Sequence, residues 1–533
     1  DNLTVQVVAP ETIYNEFSSG TPDATAYRRF MKMFYDRQTS EADAPKYLLL
    51  FGDGSYDNRQ LTSAWKSVDM SNMLLTYQTK ESLNQFSYVV DDYFGFLDDA
   101  DNKEDIASKK VNIGIGRFPI RTVDQATKAV DKVISYIDNK ETGVWKNNLC
   151  FLADDGSNAD GFAQYHMVQA DTLADYLAVD HPEFLVNKLY FDAYKKDVTG
   201  GQNGYPDIRT NLQKLLKDGL LLVNYTGHGG TTALSDEKVL TQTDIAQFTY
   251  SNLPVWITAT CDFTRFDDLA TSAGEDLFLN AKSGGIALFT TVRVAYVPHN
   301  AYINSRLIRN MFEKKNGRRR TLGDIIKETK CDLANVSNTN RYKLGFCLIG
   351  DPAMKLNYPE YRMQVTSVNG KTADGEAIPF RALEKITVEG QVLDASGALV
   401  TDFIGVVNPT VKDSKVTVTC LNNNKTEDSP FNFTDYPNTL FIGNDSVRNG
   451  KFSFTFTVPK DISYSGLQGK MNLYAVDSES GNEAQGNFDN FTVGGTSETA
   501  DTDTIGPEIR LLYLNDTAFV DGGKVNTTPY FVA

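Results

Sequence analysis

The chain has 533 residues, with 52 Lys and Arg against 69 Asp and Glu, for a formal net charge of −17. At about 100–200 residues per domain that length allows three or four domains, and 41% apolar with 23% charged residues is a composition that buries real cores. Wholesale disorder, a collagen-like repeat and a disulfide-held miniprotein are excluded, and the acidic balance argues against nucleic acid or anionic lipid as the main partner, because phosphate binding needs clustered Lys and Arg.

The one basic run, Arg318-Arg319-Arg320, is short and reads as a solvated helix start. No apolar stretch reaches the roughly 18 residues of a membrane span, and the best candidate, 286–297, carries Arg293. Cys150, Cys261, Cys331, Cys347 and Cys420 form no CxxC pair, which argues against a zinc or thioredoxin-type site. The start Asp1-Asn2-Leu3-Thr4 has neither the basic end nor the apolar core of a signal peptide. The chain is read as a piece of a longer protein.

Up to about residue 357, short apolar runs alternate with helical patterns. Strands are expected at 47–51, 111–115, 149–153, 188–191, 220–225, 255–260 and 286–290. Several are apolar at consecutive positions, as in strands covered on both faces. Tyr27, Phe30, Met31 and Phe34 make one helical stripe, and Val168, Leu173, Tyr176 and Leu177 another. Thr122-x-x-Gln125 has the form of a capping box, followed by Val123, Ala126, Val130, Val133 and Ile137 at helical spacing. Thr321-x-x-Asp324 opens a further helix. Strand and helix alternating over 350 residues predict an α/β fold with a largely parallel sheet, in two subdomains, 1–140 and 141–357.

After Tyr358-Pro359 the pattern changes. Segments 386–388, 415–420, 452–458 and 471–476 are alternating or β-branched with Gly, Asn and Asp turns between them, which predicts a β-sandwich over 360–495. The run from Gly494 to Ala500 reads as a linker, and 496–533 as that linker and the start of a truncated β-rich module.

In a parallel α/β sheet, active sites collect beyond the carboxyl ends of the strands. Two predicted strands end in reactive side chains. One runs into Thr226-Gly227-His228-Gly229-Gly230, the other into Cys261. Glycines beside His228 allow tight turns and close backbone approach. A thiol of ordinary pKa near 8.5 is only a few per cent thiolate at neutral pH and needs an imidazole to activate it. A buried structural cysteine and a loop histidine are the alternative.

The stretches Leu222-Val223-Asn224-Tyr225-Thr226-Gly227-His228-Gly229 and Leu253-Pro254-Val255-Trp256-Ile257-Thr258-Ala259-Thr260-Cys261 resemble the gingipain (C25) family of cysteine peptidases, of the caspase-like clan. Gly350-Asp351-Pro352-Ala353-Met354-Lys355-Leu356 matches the close of that family's catalytic domain. The resemblance covers about 1–357 and implies a caspase-like fold followed by an immunoglobulin-like domain. Within the family it is nearer the sortases of the type IX secretion system, on Ile13-Tyr14-Asn15-Glu16-Phe17-Ser18-Ser19-Gly20, Leu50-Phe51-Gly52-Asp53-Gly54-Ser55-Tyr56-Asp57 and Cys261-Asp262-Phe263-Thr264-Arg265-Phe266-Asp267-Asp268.

The resemblance implies Cys261 as nucleophile, His228 as acid and base, and the backbone N–H groups of Gly229 and Cys261 as oxyanion hole. It also implies an acid that orients the histidine, best aligned with Asp155 of Asp154-Asp155-Gly156. The gingipain aspartate that selects arginine falls near Tyr165-His166, where no acid stands. Implied partners are proteins with C-terminal secretion-signal domains, lipopolysaccharide and outer-membrane secretion proteins. The implied location is the outer-membrane surface or the medium.

Weaker signals remain. Asp91-Asp92 with Asp98, Asp99 and Asp101 form an acidic loop with oxygen ligands suited to a structural Ca²⁺, but without EF-hand spacing a solvated loop is the favoured reading. Gly52-x-Gly54 lacks the rest of a nucleotide loop. No cofactor is required by the chemistry. Three functions fit: a secretion sortase, a gingipain-like endopeptidase, and a caspase-like scaffold that only binds.

Overall fold

The computed structural model describes residues 3–79, 89–101, 105–155, 164–199, 204–334, 336, 342–425, 429–497, 513–514 and 531–532. Its first part is built on one sheet of eight strands. They are β1 (Tyr47–Phe51), β2 (Gly114–Phe118), β3 (Asn148–Ala153), β4 (Leu185–Tyr190), β5 (Leu222–Thr226), β6 (Val255–Ala259), β7 (Ala287–Thr291) and β8 (Phe346–Ile349). Their spatial order is β1-β2-β8-β7-β6-β5-β3-β4. Every residue of β5, β6 and β7 is buried, so these strands are mostly apolar, and their polar side chains are paired inside, Asn224 with Asn304 and Thr258 with Thr290.

The sheet consists of two parallel blocks running in opposite directions. β7, β6, β5, β3 and β4 are parallel to one another. β1, β2 and β8 form the second block, joined to the first by the antiparallel pair β7/β8. A mostly parallel mixed sheet of this kind fits a caspase-like core. The position near 140, between β2 and β3, is bridged by the sheet because β8 returns from the end of the α/β part to lie between β2 and β7.

Several expectations are corrected. β2 begins at Gly114, not 111, since Val111 and Ile113 turn inward onto Phe94 and Ile115 as part of a separate small core. The helix Val123–Ile137 buries Ala129, Lys132, Val133 and Tyr136, whereas Val123 and Ile137 of the expected stripe are 82% and 55% exposed. Lys132 explains the shift by one position: its ammonium lies inside and donates to the carbonyls of Phe278, Asn280 and Gly285, a cation neutral apolarity scoring cannot place. The capping box is half closed, with Thr122 accepting from the Gln125 N–H while the Gln125 side chain accepts from Arg121 N–H instead.

Beyond Tyr361 the chain is β-rich. Tyr361–Val368, Lys385–Leu393, Lys451–Thr457, Asp445–Arg448, Gly405–Lys412, Lys470–Asp477 and Glu483–Phe488 hydrogen-bond in that order. The last strand then pairs with the first, Tyr361 opposite Ala484. This closes the main sheet of the expected β-sandwich region on itself. Strict alternation in Lys451–Thr457 sends Phe452, Phe454 and Phe456 inward, and Phe380 stacks on Phe491 at 4.2 Å to close the core. Gly494, Gly495 and Thr496, expected in a linker, belong to the strand Phe491–Thr496, paired with Ile378–Ala382. Of the expected final module only Tyr513–Leu514 and Phe531–Val532 are described, and they pair with each other.

Candidate active site

Three neighbouring parallel strands deliver the site. Ala153 of β3 lies opposite Thr226 of β5, and Thr226 opposite Ala259 of β6. Asp155, His228 and Cys261 each come two residues after these paired positions, so all three lie just past the same edge of the sheet.

The glycines flanking His228 are sterically required. A Cβ on Gly227 would lie 2.5 Å from the Asp154 Cβ, and one on Gly229 would lie 2.5 Å from the Thr260 hydroxyl. The loop is pinned at His228 itself, whose carbonyl accepts from the Tyr225 hydroxyl at 2.6 Å and from the Ser235 N–H at 2.9 Å. Its N–H donates to Asp154 Oδ2 at 2.9 Å. The imidazole packs edge-on against His166, with ring centroids 5.4 Å apart at 80°.

Cys261 is half-buried. Its thiol donates to the Ala295 carbonyl at 3.3 Å, and its sulfur accepts the Ala295 N–H at 3.4 Å. Burial pushes the thiol above its ordinary value, the Ala295 N–H offsets part of this, and the Asp262 charge adds to it. At neutral pH the resting group is therefore a thiol. With the folded pKa raised, its alkylation rate should stay below that of free cysteine at pH 7 and rise about tenfold per unit through pH 9. A plateau near pH 7 in an iodoacetamide rate profile would instead reveal a preformed thiolate–imidazolium pair.

Behind the histidine lies a carboxylate cluster only partly visible in the sequence. The ligand oxygens of Asp154, Asp155 and Glu237 fall within 4.8 Å of one another. Lys196 spans them, donating to Asp155 Oδ2 at 3.1 Å and to Glu237 Oε1 at 2.7 Å. The same Asp155 oxygen accepts from the Tyr205 hydroxyl at 2.5 Å and from the Asn424 amide at 2.6 Å. Burial, then repulsion from Asp155 and Glu237, holds the Asp154 carboxyl well above the usual carboxylate range. Of the two neighbouring acids, Asp155 aligned best by resemblance, and Asp154 is the one whose hydrogen bond reaches the His228 main chain. Lys196, Glu237, Tyr205 and Asn424 carried no sequence signal.

Among the described residues, the acids proposed for a cation do not converge. Asp98 accepts from the Ala100 N–H, Asp99 pairs with Lys32 at 2.9 Å, and Asp101 accepts from the Lys110 N–H. Asp91 makes a two-pronged bond to the buried Arg117, and Asp92 pairs with Lys330. These contacts are those of ion pairs and turns.

Two of the stretches quoted for the resemblance, 50–57 and 261–268, meet in space. Arg121 bonds the Asp53 carboxylate and the carbonyls of Asp268 and Leu269, while the Tyr56 N–H donates to the Asp267 carbonyl at 2.9 Å. They frame the loop that follows Cys261.

A cysteine and a glycine-flanked histidine thus follow adjacent parallel strands of the α/β sheet. The profile of Peptidase family C25 matches residues 1–357, and the chain belongs to that family: it is a cysteine peptidase. It is similar to dimeric latent PorU from Porphyromonas gingivalis, with 32% identity, 98% of this chain and 43% of that chain covered, and a TM-score of 0.39. It thus spans less than half of that relative's length. The complex of the pro- and mature domains of P. gingivalis RgpB matches at 18% identity over 90% of this chain and 92% of that one, with a TM-score of 0.50. The Arg-specific cysteine proteinase gingipain R matches at 18% identity over 90% of each chain, with a TM-score of 0.49. Comparison with curated proteins finds no match.

Proposed function

We propose that this chain is the catalytic part of a type IX secretion sortase, exported to the outer-membrane surface, that removes C-terminal signal domains from cargo. The observation that carries the chemistry is the register placing His228 and Cys261 at equivalent ends of adjacent strands. The sortase reading rests on residues 50–57 and 261–268, which pack together beside the nucleophile. The β-rich domain takes the place of the immunoglobulin-like module.

In this reading His228 takes the Cys261 proton as sulfur attacks the scissile carbonyl. The N–H groups of Gly229 and Cys261 receive the oxyanion, each worth about 3–4 kcal/mol in the transition state. The departing signal domain takes a proton from His228 and leaves a thioester. An amine on lipopolysaccharide or a water molecule then attacks the thioester, again losing its proton to His228. Exclusion of water favours the amine. Asp155 orients the imidazole through the carboxylate pair. The arginine-selecting acid falls near Tyr165-His166, where no acid stands and His166 is buried against His228, which supports no preference for a basic side chain.

The test is to incubate the full-length protein with cargo bearing its native C-terminal domain, with and without an amine acceptor. Shortened cargo, and an amine adduct when acceptor is present, is the expected result. Intact cargo alongside efficient cleavage of generic Arg or Lys peptides would replace this reading with a gingipain-like endopeptidase.

A further inference from the structure

The hairpin Val416–Thr419/Asn432–Asp435 belongs to the β-rich domain by sequence but forms its own two-stranded sheet. It lies on the α/β domain. Phe433 packs on Tyr190 with ring centroids 4.7 Å apart, Cys420 is buried against Met167, and the Gln164 amide donates to the Ser429 carbonyl at 2.7 Å.

From this base, residues 421–424 reach past the end of β4. The Leu421 N–H donates to the Asp192 carbonyl at 2.7 Å. The Asp192 carboxylate accepts the N–H groups of Asn422 at 2.8 Å and Asn423 at 2.7 Å, and the Asn423 amide at 3.0 Å. A second bond from that amide goes to the Tyr194 carbonyl at 2.8 Å. So many charge-assisted bonds on one carboxylate fix the finger firmly.

At its tip Asn424 does two things at once. Its amide nitrogen donates to Asp155 Oδ2 at 2.6 Å, and its amide oxygen accepts from Lys196 Nζ at 3.0 Å. Only a side chain with both a donor and an acceptor satisfies this pair. A continuous set of hydrogen bonds then runs from Asn424 through Asp155, whose N–H donates to Asp154 Oδ1 at 2.9 Å, to the His228 N–H on Asp154 Oδ2.

We propose that Asn424 is a positioning residue of the peptidase site, and that the site is complete only when this finger of the β-rich domain is docked. The inference rests on the Cys261–His228 reading. Asp155 and Glu237 share the one ammonium of Lys196 with Asp154 close beside them, so their placement depends on neutral donors as well as charge. Asn424 supplies the donor that holds Asp155 beside Lys196 and keeps the Asp154–His228 junction in register. The groups facing Asp155 are Lys196, Tyr205, Asp154 and Glu237, with Asp192 beyond them.

The experiment uses the full-length chain and its cleavable cargo, with Asn424→Ala, Asn424→Asp and Asp192→Asn compared with the parent and with Cys261→Ala. Asn424→Ala and Asp192→Asn should each lower kcat about ten- to a hundredfold with KM nearly unchanged, as misplacing a catalytic group does. Asn424→Asp keeps the shape but adds a negative charge facing the cluster. It should move the acid limb of the kcat/KM profile to higher pH by roughly 0.5–1 unit, since added negative charge raises the proton affinity of both imidazole and carboxylates. Wild-type kcat and pH profile in all three, with only a lowered melting temperature, would reduce the finger to a structural clamp and overturn the inference. That failure is distinct from failure of the site itself: activity surviving in Cys261→Ala would overturn the site reading and this inference with it.

Discussion

Cys261→Ala should lower kcat/KM of the full-length enzyme by about 10⁴–10⁶-fold, since removing a nucleophile forfeits the whole covalent path and leaves only binding and oxyanion stabilisation. His228→Ala should fall in the same range, and the double variant should be little worse than either, because the two act as a unit. Stability should barely change. Cys261 is half-buried and its sulfur makes two weak bonds to Ala295, so the melting free energy should move by less than about 1 kcal/mol. The decisive measurement is turnover of native cargo with circular dichroism on the same preparations. A well-folded Cys261→Ala protein that still turns over would place the nucleophile elsewhere.

The legibility of this site follows from which forces set each part. His228 and Cys261 stood out because a strand covered on both faces is mostly apolar, so a reactive residue just past its end is visible. The required glycines marked the histidine further. The acids were less clear, because Asp154 and Asp155 are adjacent and only tertiary contacts distinguish the one facing His228 from the one facing Lys196. Lys196, Glu237 and Asn424 were invisible. Asn424 reaches Asp155 across 269 positions of sequence, and no local pattern encodes such a meeting. The fold shows the same division. β5 and β6 were found within two residues, while β8, four residues long and antiparallel to its neighbour β7, was not among the expected strands. Its place is set by pairing between two blocks, not by periodicity.

Asp267→Ala should cost about 3–5 kcal/mol and weaken catalysis without touching either reacting group. Arg293 and Asp267 are both buried, and the guanidinium grips both carboxylate oxygens. Removing one partner of such a pair leaves an uncompensated buried charge, which is the source of the penalty. The pair also anchors the strap that holds the thiol. Arg293 donates to the Val292 carbonyl at 2.7 Å, its own carbonyl accepts the Asp262 N–H at 3.2 Å, and two residues on lies Ala295 with its bonds to Cys261. Loosening Arg293 therefore frees Cys261 from Ala295, so iodoacetamide should alkylate Cys261 faster in Asp267→Ala than in the parent at the same pH. Replacing both partners with apolar residues of similar size, Asp267→Leu with Arg293→Met, should restore most of the stability, as exchanging a buried ion pair for packed apolar groups often does. It should not restore turnover, because the Arg293 fork that tethers the strap through Val292 is gone. Urea unfolding of the single and double variants, with alkylation rates on each, separates the two effects. An Asp267→Ala protein as stable as the parent would show that the pair neither supports the fold nor braces the nucleophile.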